Sequence, residues 1–156
     1  MDRERVAQML DRYGDDVFRL AMSYVGNRAD AEDISQSVFL SVMNTRYMPS
    51  PDKEKSWLLT CTANACKNHL KSFWRRNVGE LDETISFADS SDHTLYDAVM
   101  KLAPKYRAVI HLYYFEGYDQ NEIGKILHLT RTAVQTRMSR AREMLKKELT
   151  DDEGAL

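Results

Sequence analysis

Cys61 and Cys66 are the only cysteines in the chain. Two are too few for a disulfide framework, which excludes the small stapled folds of secreted proteins and fits a reducing compartment. On one helix they would sit about 140° apart, at about 100° per residue, so they are poorly placed to bind metal together with His69 and are expected as small core residues. Long apolar runs are missing too. The longest, Ala108 to Phe115, is already interrupted by His111 and falls well short of the roughly 20 residues that span a bilayer. The opening MDRERVAQ carries no apolar signal region, so a soluble, cytoplasmic chain without membrane insertion is expected. There is no nucleophile–base pair, metal-spaced cluster or phosphate-cradling glycine loop. Catalytic residues, metal and cofactor are accordingly expected to be absent, and a small helical enzyme is the weakest of the functional readings.

The net charge of −2 conceals a segregation along the chain. Residues 1–76 carry 12 basic and 10 acidic groups, residues 77–97 six acids and no base, residues 98–149 ten bases against five acids, and the tail 150–156 three acids. Within these blocks, Lys53 to Arg76 holds six bases and one acid, and Lys125 to Lys147 seven bases and one acid. Two basic patches separated by acid point to contact with an anionic polymer.

Apolar residues recur at helical spacing, with no sustained strand alternation, so the fold class is all-α. Two small helical modules are expected, 1–76 and 93–149, joined by an acidic flexible linker at 77–92 and followed by an acidic tail at 150–156. The linker could extend about 55 Å at about 3.4 Å per residue, enough to hold the modules well apart on a partner. The first module reads as helices Arg3 to Arg12, Asp15 to Val25, Ala29 to Asn44 and Glu54 to Arg76, with breaks at Gly14, at Gly26-Asn27 and at the Pro49-Ser50-Pro51 turn. The second reads as four helices: Thr94 to Leu102, then Lys105 to Glu116 after a break at Pro104, Asp119 to Leu127, and a last one capped by Thr130 and reaching about Leu149. Its final pair forms a helix-turn-helix.

Three helix faces carry functional chemistry. On the last helix, Val134, Met138, Ala141 and Leu145 form a buried stripe. Thr132, Gln135, Thr136, Ser139 and Arg140 lie opposite, and Gln and Arg are side chains suited to adenine and guanine edges in the major groove. Arg131, Arg137 and Arg142 flank that face, where cations hold phosphates. On the long helix, Leu58, Cys61, Ala65, His69 and Phe73 read as the apolar stripe. Beside it run Trp57, Thr60, Asn64, Asn68, Lys71 and Arg75, an aromatic, amides and cations of the kind that hold single-stranded nucleic acid. On Ala29 to Asn44, Asp33, Gln36, Ser37 and Leu40 share an outer side, and a leucine centred in a polar stripe can anchor a partner helix. Taken singly, each face is also compatible with an ordinary solvated surface.

Together, YVGNRADAEDISQSVFLSVM, WLLTCTANACKNHL and LAPKYRAVIHLYYFEGYDQNEIGKILHLTRTAVQTRMSRAREML resemble, in order, three segments of the extracytoplasmic-function (ECF) group of bacterial RNA polymerase sigma factors. The resemblance implies that Asp33, Gln36, Ser37 and Leu40 meet core RNA polymerase. It implies that Trp57, Thr60, Asn64, Asn68, Lys71 and Arg75 contact the melted minus-ten strand, with a base flipped into the loop at about 45–53. It also implies that Arg131, Thr132, Gln135, Thr136, Arg137, Ser139 and Arg140 face minus-thirty-five duplex. Polymerase would supply the catalysis, and an anti-sigma protein is the implied regulator. Ser37 stands where the family commonly has an acid, Asn68 where it has aspartate, Cys61-Thr62 where Ile-Ala is typical and Gly124 where alanine is usual. The last implies tight packing or a mobile helix-turn-helix. A sigma-like DNA-binding regulator that does not direct initiation is the competing reading.

Overall fold

The computed structural model describes residues 1–76 and 95–154, with side chains to Phe73 and from Leu95 to Thr150. The acidic stretch 77–92 lies outside the described residues. Every regular element among those described is helical: α1 (Arg3–Val25), α2 (Arg28–Asn44), α3 (Glu54–Arg76), α4 (Leu95–Met100), α5 (Pro104–Ile110), α6 (Gln120–Leu127) and α7 (Arg131–Gly154). None is long and apolar enough to cross a membrane.

The first module is α1, α2 and α3 packed on one another. Asp2 accepts from the Glu4 amide to start α1, and Gly26, at φ 73°, returns its own amide to Met22. The break expected at Gly14 is absent. Val6, Met9, Val17 and Leu20 are buried along one continuous face that crosses it. A mid-helix glycine costs about 1 kcal/mol, whereas burying each large aliphatic contributes about 1.5–3 kcal/mol, so packing carries the helix through. Asn27 caps α2 by accepting from Asp30, and Ala31, Ile34, Val38, Phe39 and Val42 face inward.

On α3 the expected apolar stripe is corrected. Leu58, Leu59, Thr62, Ala63 and Cys66 are the buried positions, while Cys61 and Ala65 are half-buried and Phe73 is exposed. Thr62 enters the core because its hydroxyl donates to the Leu58 carbonyl at 2.7 Å, which satisfies the one group that would oppose burial. His69 is a rim residue paired with Asp30 at 3.4 Å, not a core histidine. Burial pushes the Cys66 thiol up to about 12, the behaviour of an inert core cysteine.

In the second module the helices are interrupted ahead of Pro104 as expected, and Pro104 itself opens α5, since the first turn has no use for the missing N–H. Past Ile110 the helix widens into one π turn, His111–Phe115, and the chain then turns at Gly117, φ 78°. Asp119 and Glu122 form a reciprocal capping box at the start of α6. Thr130 accepts from the Ala133 amide at 3.1 Å, as expected of a cap. α7 continues beyond Leu149 to Gly154.

The two modules pack against each other. α1 packs on α5 and the π turn, α3 packs on α6, and buried residues of both modules join one apolar core. Arg107, 3% exposed, joins them from α5. It donates to the carbonyls of Ser23 (2.6 Å) and Tyr24 (2.7 Å) and to those of Met100 (3.0 Å) and Leu102 (2.9 Å). Ser23 and Tyr24 lie in the last turn of α1, where carbonyls have no helical partner and where a cation complements the helix dipole.

Candidate nucleic-acid interface

α7 presents its two faces as the periodicity predicts. Val134, Met138 and Ala141 are fully buried and Leu145 partly so, while Arg131, Thr132, Gln135, Thr136, Ser139 and Arg140 are exposed on the other side. Arg137 parts company with them. It is half-buried and lines a cleft against the first module. Arg142, expected as a flanking phosphate contact, donates to the Tyr114 hydroxyl at 3.0 Å and lies over the Tyr113 and Tyr114 rings.

The turn preceding α7 is tight. His128 ends α6 in the left-handed conformation at φ 56°, and the Leu129 amide reaches back to the Gly124 carbonyl at 2.8 Å. A methyl group on Gly124 would sit 2.7 Å from the Leu129 carbonyl oxygen. Close packing therefore accounts for this glycine, and only glycine fits without movement.

On α3, Asn64, Asn68 and Lys71 are exposed. Trp57 packs partly into the core, with its ring 5.8 Å from that of Tyr47 in the loop before the helix. Arg5 holds that loop by donating to the Pro49 carbonyl and by pairing with Glu54 at 3.0 Å. The Arg75 side chain lies outside those described. Thr60 is already engaged: its hydroxyl donates to the Ile126 carbonyl of α6 at 2.9 Å. Two turns on, sequence reasoning passed over Lys67, whose ammonium reaches the Leu127 carbonyl at 3.4 Å. The docked second module thus sits over part of this face.

On α2, Asp33, Gln36, Ser37 and Leu40 are all exposed. Leu40 is 61% exposed, two residues from the buried Val38 and Val42 and so on the opposite side of the helix. Met43, Tyr47 and Met48 extend the exposed apolar surface beyond it. These three were not expected, because methionine and tyrosine at a helix end read equally well as core. Among the described residues no group of three His, Cys, Asp or Glu is arranged to hold a metal ion.

The sigma-70 region 2 model matches residues 9–76, and the sigma-70 region 4 model matches residues 92–145. The RNA polymerase sigma factor SigV of Bacillus subtilis is 30% identical, over 88% of this chain and 87% of its own length. The chain belongs to the ECF group of RNA polymerase sigma factors. The ECF RNA polymerase sigma factor SigW of Bacillus subtilis is 28% identical over 96% of this sigma factor and 91% of its own length. Two solved structures share the fold. The sigma factor RpoE of Bartonella quintana, in complex with the anti-sigma factor NepR, aligns with TM-score 0.72 at 20% identity, covering 92% of this chain and 96% of that one. CnrH in complex with the cytosolic domain of CnrY aligns with TM-score 0.65 at 23% identity, covering 97% and 91%. This sigma factor is therefore a non-enzymatic subunit that joins core RNA polymerase and directs initiation at promoters.

Proposed function

We propose the following division of labour within this alternative sigma factor. Residues 1–76 form the region that binds core polymerase and captures the melted minus-ten strand. Residues 93–149 form the region that reads minus-thirty-five duplex, with 77–92 as linker and 150–156 as an acidic tail. Asp33, Gln36, Ser37 and Leu40 dock on polymerase. Trp57, Thr60, Asn64, Asn68, Lys71 and Arg75 hold the opened strand, with the Tyr47 loop supplying an aromatic wall for an unstacked base. Arg131, Thr132, Gln135, Thr136, Ser139 and Arg140 face duplex, and Arg137 joins them when the modules part. The observation that carries the reading is the exposed leucine of α2. Leu40 stands among polar neighbours while Ile34, Val38 and Val42 of the same helix are buried, and an apolar anchor ringed by polar groups is the anatomy of an interface centre.

Thr60 and Lys67 are bonded to α6 carbonyls in the docked arrangement, so full capture of the strand requires α6 to leave. The site of action is the cytoplasm, where polymerase and DNA are found. An anti-sigma protein is the proposed regulator, supported by the solved complex of the sigma factor RpoE with the anti-sigma factor NepR.

Reconstituted transcription with core polymerase tests the assignment. The wild-type protein should yield a specific transcript from promoters recovered with it by immunoprecipitation, and Leu40→Asp should abolish that transcript while duplex binding by the second module persists. No specific transcript from any recovered promoter would favour the DNA-binding regulator instead.

A further inference from the structure

Where the two modules meet lies an open cleft of about 760 Å³, lined by residues of both. α3 contributes Asn64, Lys67, Asn68 and Lys71. From the second module come Lys105 of α5 and Arg137 of α7. Four cations and two amides thus converge, and among the described residues no carboxylate lines the space. Among the described residues none of these four cations is paired with an acid: Lys67 reaches only a backbone carbonyl, and Lys105 lies over the Tyr106 ring. Burial, with the nearby Arg137 charge, pulls the Lys67 ammonium below its ordinary value. Four like charges gathered at one cleft repel one another, and a bound anion relieves that repulsion.

We propose that this cleft is a binding site for a small polyphosphate, free or carried on a nucleoside, which bridges the modules and stabilises their docked arrangement. The volume suits a small-molecule ligand, and four cations match the charge of a triphosphate. Asn64 and Asn68 supply neutral donors, and Leu70 and Pro104 supply an apolar wall. A nucleic-acid strand is the poorer occupant of this form, because Thr60 and Lys67 are bonded across to α6. A ligand that binds only the docked form shifts the population toward it. The further consequence, that such a ligand opposes promoter capture, rests on the assignment of Asn64, Asn68 and Lys71 to the melted strand.

Titration calorimetry of the full chain, without DNA or polymerase, tests the site separately from that assignment. The probes are inorganic tripolyphosphate and ATP, with sulfate at matched ionic strength as control. Both probes should bind one per chain and sulfate at least about tenfold more weakly. Lys105→Ala should weaken both about tenfold, the loss of one charged contact. Lys53→Ala, an exposed lysine outside the cleft, should leave binding unchanged. Tighter binding of ATP than of tripolyphosphate identifies the apolar wall as a base contact, and equal binding restricts recognition to the phosphates. Absence of binding, equal competition by sulfate, or equal losses in the Lys105 and Lys53 variants would each overturn the proposal. Lys105 lies outside the promoter-contacting faces, so Lys105→Ala should direct initiation normally when polyphosphate is absent, and at polyphosphate concentrations that inhibit the wild type.

Discussion

Gly124 sits where a methyl group has no room. Helix propensity alone would favour alanine there by up to about 1 kcal/mol. The neighbour 2.7 Å away is a backbone carbonyl, which cannot swing aside as the tip of a side chain would. Forcing extra volume into such a contact costs typically about 1–3 kcal/mol. Gly124→Ala should therefore lower the urea-unfolding midpoint although it improves the helix, and an unchanged or higher midpoint would show that the turn yields. Arg140 is a different kind of residue, exposed on the polar side of α7, where its substitution leaves packing alone. Arg140→Ala should cost about 1–3 kcal/mol at a single base position if the side chain makes a forked base contact. Binding measured across a panel of single-base promoter variants checks this, and a uniform loss over the panel would reassign Arg140 to a phosphate.

The elements were legible in proportion to how far their stability is local. α7 could be read closely, since Val134, Met138 and Ala141 repeat at strict helical spacing and every intervening residue is polar. α3 could not. Its Cys, Thr and Ala residues are nearly indifferent to burial, so two adjacent stripes compete, and the choice rests on the Thr62 bond to Leu58 and on contacts with α1 and α2. The expected break at Gly14 erred for the same reason, long-range packing overriding a local preference. Least legible was the join between α1 and α5. It depends on Arg107 bonding to carbonyls 83 and 84 positions earlier, and nothing in composition or periodicity marks an arginine as buried. Arg107→Met preserves most of the volume but leaves four carbonyls without their donor, two of them at the end of α1. A loss of about 2–4 kcal/mol is expected, together with a larger radius of gyration by small-angle scattering as the modules separate. A destabilised variant of unchanged radius would mean that the apolar contacts alone keep the modules docked.

Across the whole molecule, docking closes over a group of charges drawn from three elements. Lys55 of α3 lies 2.7 Å from Glu116 and 3.8 Å from Asp16 of α1; the His111 ring stands 3.8 Å from the other Glu116 oxygen, and the Glu116 side chain is only 2% exposed. Burial by itself would raise the Glu116 carboxyl, but His111, Lys55 and Asp16 outweigh it and hold the group down at about 2, against an ordinary 4.5. A carboxyl depressed by folding contributes stability that is fully present above its unfolded value and lost as the pH falls toward its folded one. The Glu116 contribution should therefore persist above about 4.5 and fade between there and about 2. Asp16 works in the opposite sense: burial and the neighbouring Glu116 raise its carboxyl, so its protonation in acid relieves repulsion and blunts the loss. The net effect should be module separation on acidification, because Lys55 and Glu116 belong to different modules and their bond spans the junction. Energy transfer between fluorophores placed on α2 and α7 should fall across that pH window while far-ultraviolet circular dichroism still reports intact helices. Glu116→Gln should begin more open at neutral pH and lose most of the acid response. Transfer that stays flat with pH in the wild-type chain would show that Lys55 and Glu116 do not hold the modules together.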